Sequence, residues 1–351
     1  MTTTDSYDDE IRMLREGADA LFSDHVTPAL RQAAEAGTFP SAFWDAVCAM
    51  GLPLAAVREE AGGAGMPLGV ALGVCFEAGR HALPLPLGEA IVAHWLLDRA
   101  GLPMPQGLVV TGLLEADGSA QQVPWGRHAG QVALLTTAPT TGLALVRTSD
   151  CHITPGHDIA GEARDAVKPD PGKAMTVPLS AHDLKTATHA LAVVRSQQMA
   201  GAMSQVVQMS TRYAGERVQF GRPLAKLQVI QQYLAVMAGQ AASARAAADL
   251  GCEGVQSSDE AVATATAKIR CSEASGVVAK HAHQIHGAMG FTHEHPLHWF
   301  TRRLWAWRDE HGNESVWARR LIDSLGDADA GTLWQRLPTP SRATPATTPC
   351  N

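Results

Sequence analysis

The chain has 351 residues, 46 % of them hydrophobic, with 28 basic against 35 acidic side chains and a net charge of −7. That length buries a large core over two or three domains, and the acidic balance argues against a nucleic-acid partner, which needs clustered Lys and Arg. No stretch approaches the roughly 18 apolar residues of a membrane span, and the acidic, polar start has no basic n-region of a signal peptide.

Residues 1–104 read as an N-terminal helical domain. Ile11, Leu14, Ala18 and Leu21 recur at spacings of three and four, the period of an amphipathic helix, and Phe43, Val47 and Met50 repeat it up to Gly51. A glycine-rich turn over Glu60–Gly65 precedes one predicted helix from Leu68 to Gly79 and another from Gly88 to Arg99, with Pro84 and Pro86 between them. Residues 105–181 change texture, because short apolar runs (Leu108–Val110, Val132–Leu135, Leu143–Val146) alternate with Gly, Pro, Asp and Thr clusters. They predict a small β domain of five to seven strands. Residues 182–328 return to long helices: Leu227, Ile230, Leu234 and Met237 form an apolar stripe, and the Ala-rich run from Asp259 ends at Gly287. The Pro- and Thr-rich tail, 329–351, is expected to be disordered.

The chemistry-bearing residues lie in two segments about sixty residues apart: Tyr213-Ala-Gly-Glu-Arg217-Val-Gln219-Phe220-Gly221-Arg222-Pro223-Leu224 and Gln284-Ile-His-Gly287-Ala-Met-Gly290-Phe291. Arg217 and Phe220 are three apart, so they are expected to share one face near a helix end. A guanidinium grips a pyrophosphate in a fork, and an aromatic ring packs on a planar flavin or adenine. Gly287 and Gly290 let backbone N–H groups approach phosphate oxygens. Either segment alone also reads as a helix cap with a packed Phe and a solvated Arg.

Taken jointly, with Gln228 between them, these segments resemble the C-terminal helical domain of the acyl-CoA dehydrogenase family. Gly51-Leu-Pro53-Leu and Glu59-Glu60-Ala-Gly62-Gly63-Ala-Gly65 are similar to a segment of its N-terminal domain. The resemblance covers most of residues 10–325 and is weakest in the β domain. It implies an α+β fold: an N-terminal helical domain, a small central β domain and a C-terminal four-helix bundle. It also implies FAD as cofactor. Arg217, Phe220 and Gln228 match positions that hold the dinucleotide across a subunit interface, and Gln284, Gly287 and Gly290 match those at its adenosine end. The implied reaction is α,β-dehydrogenation of an acyl-CoA thioester, in which a carboxylate removes the α proton and the β hydride goes to the flavin. Electron-transfer flavoprotein is the implied electron acceptor.

The chain departs from the family where the base should be. The family's glutamate before a Gly-Thr pair falls on His311, flanked by Asp309 and Glu310, with Gly312 and Asn313 following. A second family location for the base falls on Leu191, near His189 and Arg195, and the thioester-holding arginine falls on Ala192. Nothing in 105–180 matches the family's Thr-Glu-Pro segment with Gly-Ser-Asp, whose groups meet the flavin ring. The catalytic candidates are therefore Glu310 and His311, with Glu314 as a second displaced carboxylate. Two expectations follow. One is a subunit of an α2β2 heterotetramer, as in dehydrogenases of steroid-derived CoA thioesters, which completes the FAD site of a partner carrying the base. The other is a self-sufficient homo-oligomer using Glu310. A flavin oxidase or oxygenase, or a non-catalytic scaffold, are further readings; the retained Arg217, Phe220 and Gln284 speak against the scaffold.

The remaining signals read as structural. His281, His283, His286, His293, His295 and His298 crowd together without a cysteine partner or a zinc spacing, so no metal is assigned. Cys48, Cys75, Cys151, Cys252, Cys271 and Cys350 are scattered without a CxxC pair, the pattern of reduced thiols in a cytoplasmic protein. Trp307 and Trp317 are expected to share a core. Arg302, Arg303 and Arg308 are expected either to meet CoA or FAD phosphates or to form a solvated face.

Overall fold

A computed structural model describes residues 3–137 and 141–326; the tail expected to be disordered lies outside them. The N-terminal third holds helices α1 (Thr3–His25), α2 (Pro28–Glu35), α3 (Ser41–Ala49), α4 (Leu68–Leu72), α5 (Cys75–Arg80) and α6 (Leu87–Arg99). Local signals set their ends. Thr27 caps α2 by accepting from the Leu30 N–H at 3.2 Å, with Pro28 opening the helix. The predicted Leu68–Gly79 helix is instead two helices, broken at Gly73, whose carbonyl accepts from the Phe76 N–H at 3.3 Å in a tightened turn and from Arg15 Nε at 3.2 Å.

Seven strands follow: β1 (Val109–Leu113), β2 (Ala120–Pro124), β3 (Gln131–Thr136), β4 (Gly142–Arg147), β5 (Cys151–Thr154), β6 (Arg164–Pro169) and β7 (Met175–Pro178). They form one sheet ordered β1-β3-β4-β7, with β1 and β3 parallel and the rest antiparallel, and a second antiparallel sheet ordered β2-β6-β5.

The C-terminal part is α7 (Ala181–Glu216), a tight hairpin of β8 (Val218–Gln219) and β9 (Arg222–Pro223), α8 (Gln228–Gly254), α9 (Glu260–His286), α10 (Leu297–Asp309) and α11 (Glu314–Leu325). Ser180 caps α7 by accepting from the Asp183 N–H at 3.0 Å. With 36 residues, α7 runs about 54 Å and enters two cores. Its first half (Ala187, Ala190, Leu191, Val193, Val194) packs with the N-terminal helices and the β1-β3-β4-β7 sheet, and its second half (Met199 to Ala214) packs with α8, α9 and α10. Helical, β and helical regions thus follow in the expected order. Trp307 and Trp317 do not share a core: Trp307 sits in the α7–α10 core, and Trp317 in a small one with Ala192 and Ala265. Among the described residues, no helix is long and apolar enough to cross a membrane.

Candidate functional site

A cavity of about 780 Å³ opens where the ends of β1 and β2 and the β5–β6 loop face α7 and α10. Its floor is an ion network assembled from the whole length of the chain. Glu310, just past α10, accepts from Arg195 Nε at 2.7 Å and from Arg164 Nε at 3.1 Å. Arg195 also pairs with Glu89 of α6 and donates to Gln198 Oε1 at 2.5 Å. Arg164 donates to Glu162 at 3.1 Å, and Glu162 in turn accepts from Arg303 Nε at 3.2 Å and Trp307 Nε1 at 2.8 Å. All of these groups are buried or nearly so.

That setting decides what the candidate acids and bases can do. Burial alone would raise the Glu310 carboxyl, but the Arg164 and Arg195 guanidiniums outweigh it and hold the group at about 2. A carboxylate so stabilised is a weak proton acceptor. His311 lines the cavity in left-handed backbone (φ 56°), followed by Gly312 at φ 93°, and its carbonyl accepts from Trp317 Nε1 at 2.9 Å. His311 is an exposed residue on the cavity wall; desolvation by the surrounding protein and the neighbouring Arg195 charge push its imidazole down, which favours the neutral form. Glu314, the second displaced carboxylate, is held by Arg308 through Nε at 3.1 Å and through Nη2. Asp158 contrasts with all three: burial and the neighbouring Glu162 charge raise its carboxyl to about 6. One of its oxygens accepts from the Ala160 and Glu162 N–H groups, and the other has no hydrogen-bond partner.

The residues matched to flavin binding lie elsewhere. Arg217 caps α7 in extended backbone, and Phe220 (φ 52°) and Gly221 (φ 74°) form the two-residue turn of the β8–β9 hairpin. The expectation that Arg217 and Phe220 share a helix face is therefore overturned: the helix has ended, and Phe220 is lifted to a hairpin tip, 83 % exposed. The two segments do meet. Tyr213 stacks on His286 at 4.5 Å, and its hydroxyl lies 3.4 Å from the His286 carbonyl oxygen, which joins the end of α7 to the end of α9. Arg217, Gln228, Gln284 and Gly287 are exposed and Gly290 is buried. The Arg217 guanidinium has no partner among the described residues. Gly287 ends α9 at φ 56° with open space beside its Cα, leaving room for a ligand. A surface cation, an exposed ring and an unobstructed glycine turn fit an anionic dinucleotide approaching from outside the chain.

Other readings are corrected by their partners. Arg302 pairs with Glu35 at 2.7 Å, Arg303 with Glu35 and Glu162, and Arg308 with Glu314, so none of the three is a free phosphate ligand. Leu191 lines the cavity, while His189 lies 3.3 Å from Glu260, and Ala192 packs in the Trp317 core. The six clustered histidines stack with one another and with Tyr213, Tyr233 and Phe291. Among the described residues, none of them joins a group of three acidic, His or Cys ligands within reach of one ion. Cys48, Cys75, Cys151, Cys252 and Cys271 are free thiols. Glu89 and Arg164 are site residues that spacing does not reveal, because Arg195 lies 106 residues from Glu89 and Glu310 lies 146 residues from Arg164; Asp158 is a further one, in a loop without a motif of its own.

The models for the N-terminal and C-terminal domains of acyl-CoA dehydrogenases match residues 8–103 and 184–325. The chain is 29 % identical over 320 residues to the acyl-CoA dehydrogenase IpdE2 of Mycobacterium tuberculosis, covering 84 % of this chain and 91 % of that one. Among solved structures it is similar to a variant of the Tcur3481–Tcur3483 steroid ACAD (TM-score 0.79, 23 % identity, 90 % of this chain and 98 % of that one). It is also similar to the ChsE4–ChsE5 complex of Mycobacterium tuberculosis (TM-score 0.76, 19 % identity, 91 % and 98 % covered).

Proposed function

The chain belongs to the acyl-CoA dehydrogenase family, a family of FAD-dependent oxidoreductases, and we propose that it serves as the subunit that completes the FAD site of a partner. One observation carries this reading: Arg217, Phe220, Gln228, Gln284 and Gly287 stand on the surface, while Glu310 and Glu314 are bound by guanidiniums. The chain thus offers contacts to a cofactor held outside it and has no free carboxylate at the positions where the base was sought.

In this role Arg217 grips the pyrophosphate, Phe220 covers a ring face, and the Gly287 turn admits the adenosine end close to backbone. The FAD supplies the acceptor for the β hydride of an acyl-CoA thioester. The α proton would leave to a carboxylate of the partner as the β hydride departs, which leaves the new double bond in the acyl group. The surface beside the site supports docking. Residues 228–244 carry no charged side chain, and Val229 and Val236 are 47 % and 43 % exposed along that face of α8. Val218, Met289 and Phe291 extend the apolar area at 59 %, 46 % and 73 % exposure. The steroid ACAD and the ChsE4–ChsE5 complex among its structural neighbours favour a partner of a different sequence and a bulky, steroid-derived acyl group. Electron-transfer flavoprotein is the proposed acceptor, and the cytoplasm the proposed location.

The self-sufficient reading, with Glu310 as base, has less support, because both its oxygens are engaged. The deciding measurement is the absorbance spectrum of the purified chain, alone and co-expressed with an acyl-CoA dehydrogenase-like partner. Flavin bands in the co-purified complex alone, at about one flavin for two chains, are expected. A full complement of flavin on this chain by itself, with turnover, sinks the subunit reading.

A further inference from the structure

Tyr213 touches both of the runs that carry the proposed cofactor contacts. It lies in the last turn of α7, and its backbone carbonyl accepts from the Arg217 N–H at 2.9 Å. The Arg217 carbonyl in turn accepts from the Leu224 N–H at 2.9 Å, which closes the β8–β9 hairpin. The side chain of Tyr213 faces the other run. Its ring stacks on His286 at 4.5 Å with 26° between the planes, and its hydroxyl donates to the His286 carbonyl at 3.4 Å. His286 directly precedes Gly287, so the backbone of Tyr213 fixes Arg217 while its ring fixes the start of the glycine turn.

The partners of Tyr213 are themselves fixed. His286 is 3 % exposed, and its Nδ1 is bound to the Ala282 carbonyl at 2.8 Å. Its Nε2 makes no hydrogen bond, so what this ring supplies to its neighbours is packing rather than polarity. The His295 ring meets His286 at 4.6 Å and Tyr213 edge-on at 6.1 Å. His295 is tied to the start of α10, because its Nδ1 accepts from the Leu297 N–H at 3.2 Å. Gly290 seats the glycine turn against α9 and α10: a Cβ there would lie 3.0 Å from His286 Cβ and 3.2 Å from Leu297 Cδ2. Three rings thus join the ends of α7 and α9 to the start of α10, while Arg217 and Gly287, the groups next to this joint, are exposed.

We propose that Tyr213 is a positioning residue for the cofactor, one that holds the Arg217 hairpin and the Gly287 turn at the separation a single dinucleotide spans. This rests on the reading that both runs contact FAD, and it adds what makes them act together. Two contacts to one ligand reinforce each other only when their spacing matches it; otherwise each acts alone and affinity falls steeply. Stacked rings in a packed setting supply a rigid joint of that kind, whereas a hydrogen bond as long as 3.4 Å adds little to it.

The test follows two readouts: the flavin fluorescence released on diluting the co-purified complex, and tryptic cleavage between Arg217 and Val218 in the full chain alone. Tyr213→Leu and His286→Leu each remove the stack. Both are expected to weaken flavin retention about tenfold and to speed that cut severalfold, with cleavage elsewhere unchanged. Tyr213→Phe keeps the ring and should restore both readouts. Adding Arg217→Ala to Tyr213→Leu should cost less retention than Arg217→Ala costs in the natural chain, because the two contacts are already uncoupled. Strictly additive losses overturn the proposal, as does a Tyr213→Leu chain with natural retention and natural cleavage. A uniform rise in cleavage at every site overturns it too, since that marks a general loss of stability. A natural complex without flavin removes the subunit reading instead, and the cut after Arg217 then still reads whether the rings hold the hairpin.

Discussion

Glu310 shows how one residue's surroundings decide its role. Its position beside His311 and Gly312 suggests a displaced base, yet it lies between two guanidiniums that must be neutralised where they are buried. Removing one partner of a buried pair leaves an uncompensated charge, which typically costs about 3–5 kcal/mol. Glu310→Gln is therefore expected to lower unfolding stability by about 3 kcal/mol in urea denaturation while the complex keeps its flavin and measurable turnover. Complete loss of turnover with unchanged stability would instead make Glu310 the base. Arg217 is the opposite case, exposed and without a partner among the described residues. Arg217→Ala should leave the urea midpoint where it is and lower the flavin retained by the complex on gel filtration, and a complex that keeps its full flavin would remove Arg217 from the site.

At the scale of elements, α7 depends on close approach as much as on propensity. A Cβ on Gly201 would meet the Phe76 carbonyl oxygen, and one on Gly79 the Gln198 carbonyl oxygen, so α5 and α7 pack backbone to backbone. Gly201→Ala adds a methyl with nowhere to go and is expected to destabilise by about 1–3 kcal/mol, although alanine is the better helix former; a raised urea midpoint would contradict the packing. The α9 boundaries follow from the alanine-rich run and the glycine after it, and β1, β3 and β4 from the apolar runs between turn residues, whereas β2, β5, β6 and β7 carry no such run. The β8–β9 hairpin was not legible, because two-residue turns announce themselves with Asn-Gly or Gly pairs and here a phenylalanine takes the first left-handed position. The break at Gly73 was likewise hidden, since the Arg15 side chain that also donates to its carbonyl lies 58 residues away. The cavity floor was hidden for the same reason: Arg195 and Glu310 are 115 residues apart and Arg164 and Glu310 are 146 apart. No local spacing encodes such pairs, whereas the flavin-contact residues fall into two short runs and could be picked out from them.

Across the whole molecule, the ion network ties the three regions together: Glu89 from the N-terminal helices, Glu162 and Arg164 from the β region, and Arg195, Arg303 and Glu310 from the C-terminal helices. Its stability should therefore depend on pH. The Glu310 carboxyl lies at about 2 in the fold against an ordinary 4.5. The unfolded chain takes up that proton first, so the stabilisation is complete above pH 4.5 and is lost as pH falls toward 2. His286 acts in the same sense at higher pH. Burial carries it from 6.5 to about 4, against the pull of its hydrogen bond to the Ala282 carbonyl. Its Nε2 is buried without a partner, so protonation puts a charge where nothing receives it. Stability is lost between pH 6.5 and 4, by about 3 kcal/mol at roughly 1.4 kcal/mol per tenfold. Asp158 opposes this: raised from 3.8 to about 6, it destabilises the fold above pH 6 and relieves it as pH falls. The net curve of the natural chain is thus a difference of terms, and the contribution of His286 is read by comparison with a variant. His286→Phe keeps a ring against Tyr213 and cannot take a proton. Urea unfolding at pH 7 and pH 4 should give a smaller loss for the variant than for the natural chain, by about 3 kcal/mol. Equal losses in the two proteins would mean that His286 finds a partner for its proton inside the fold.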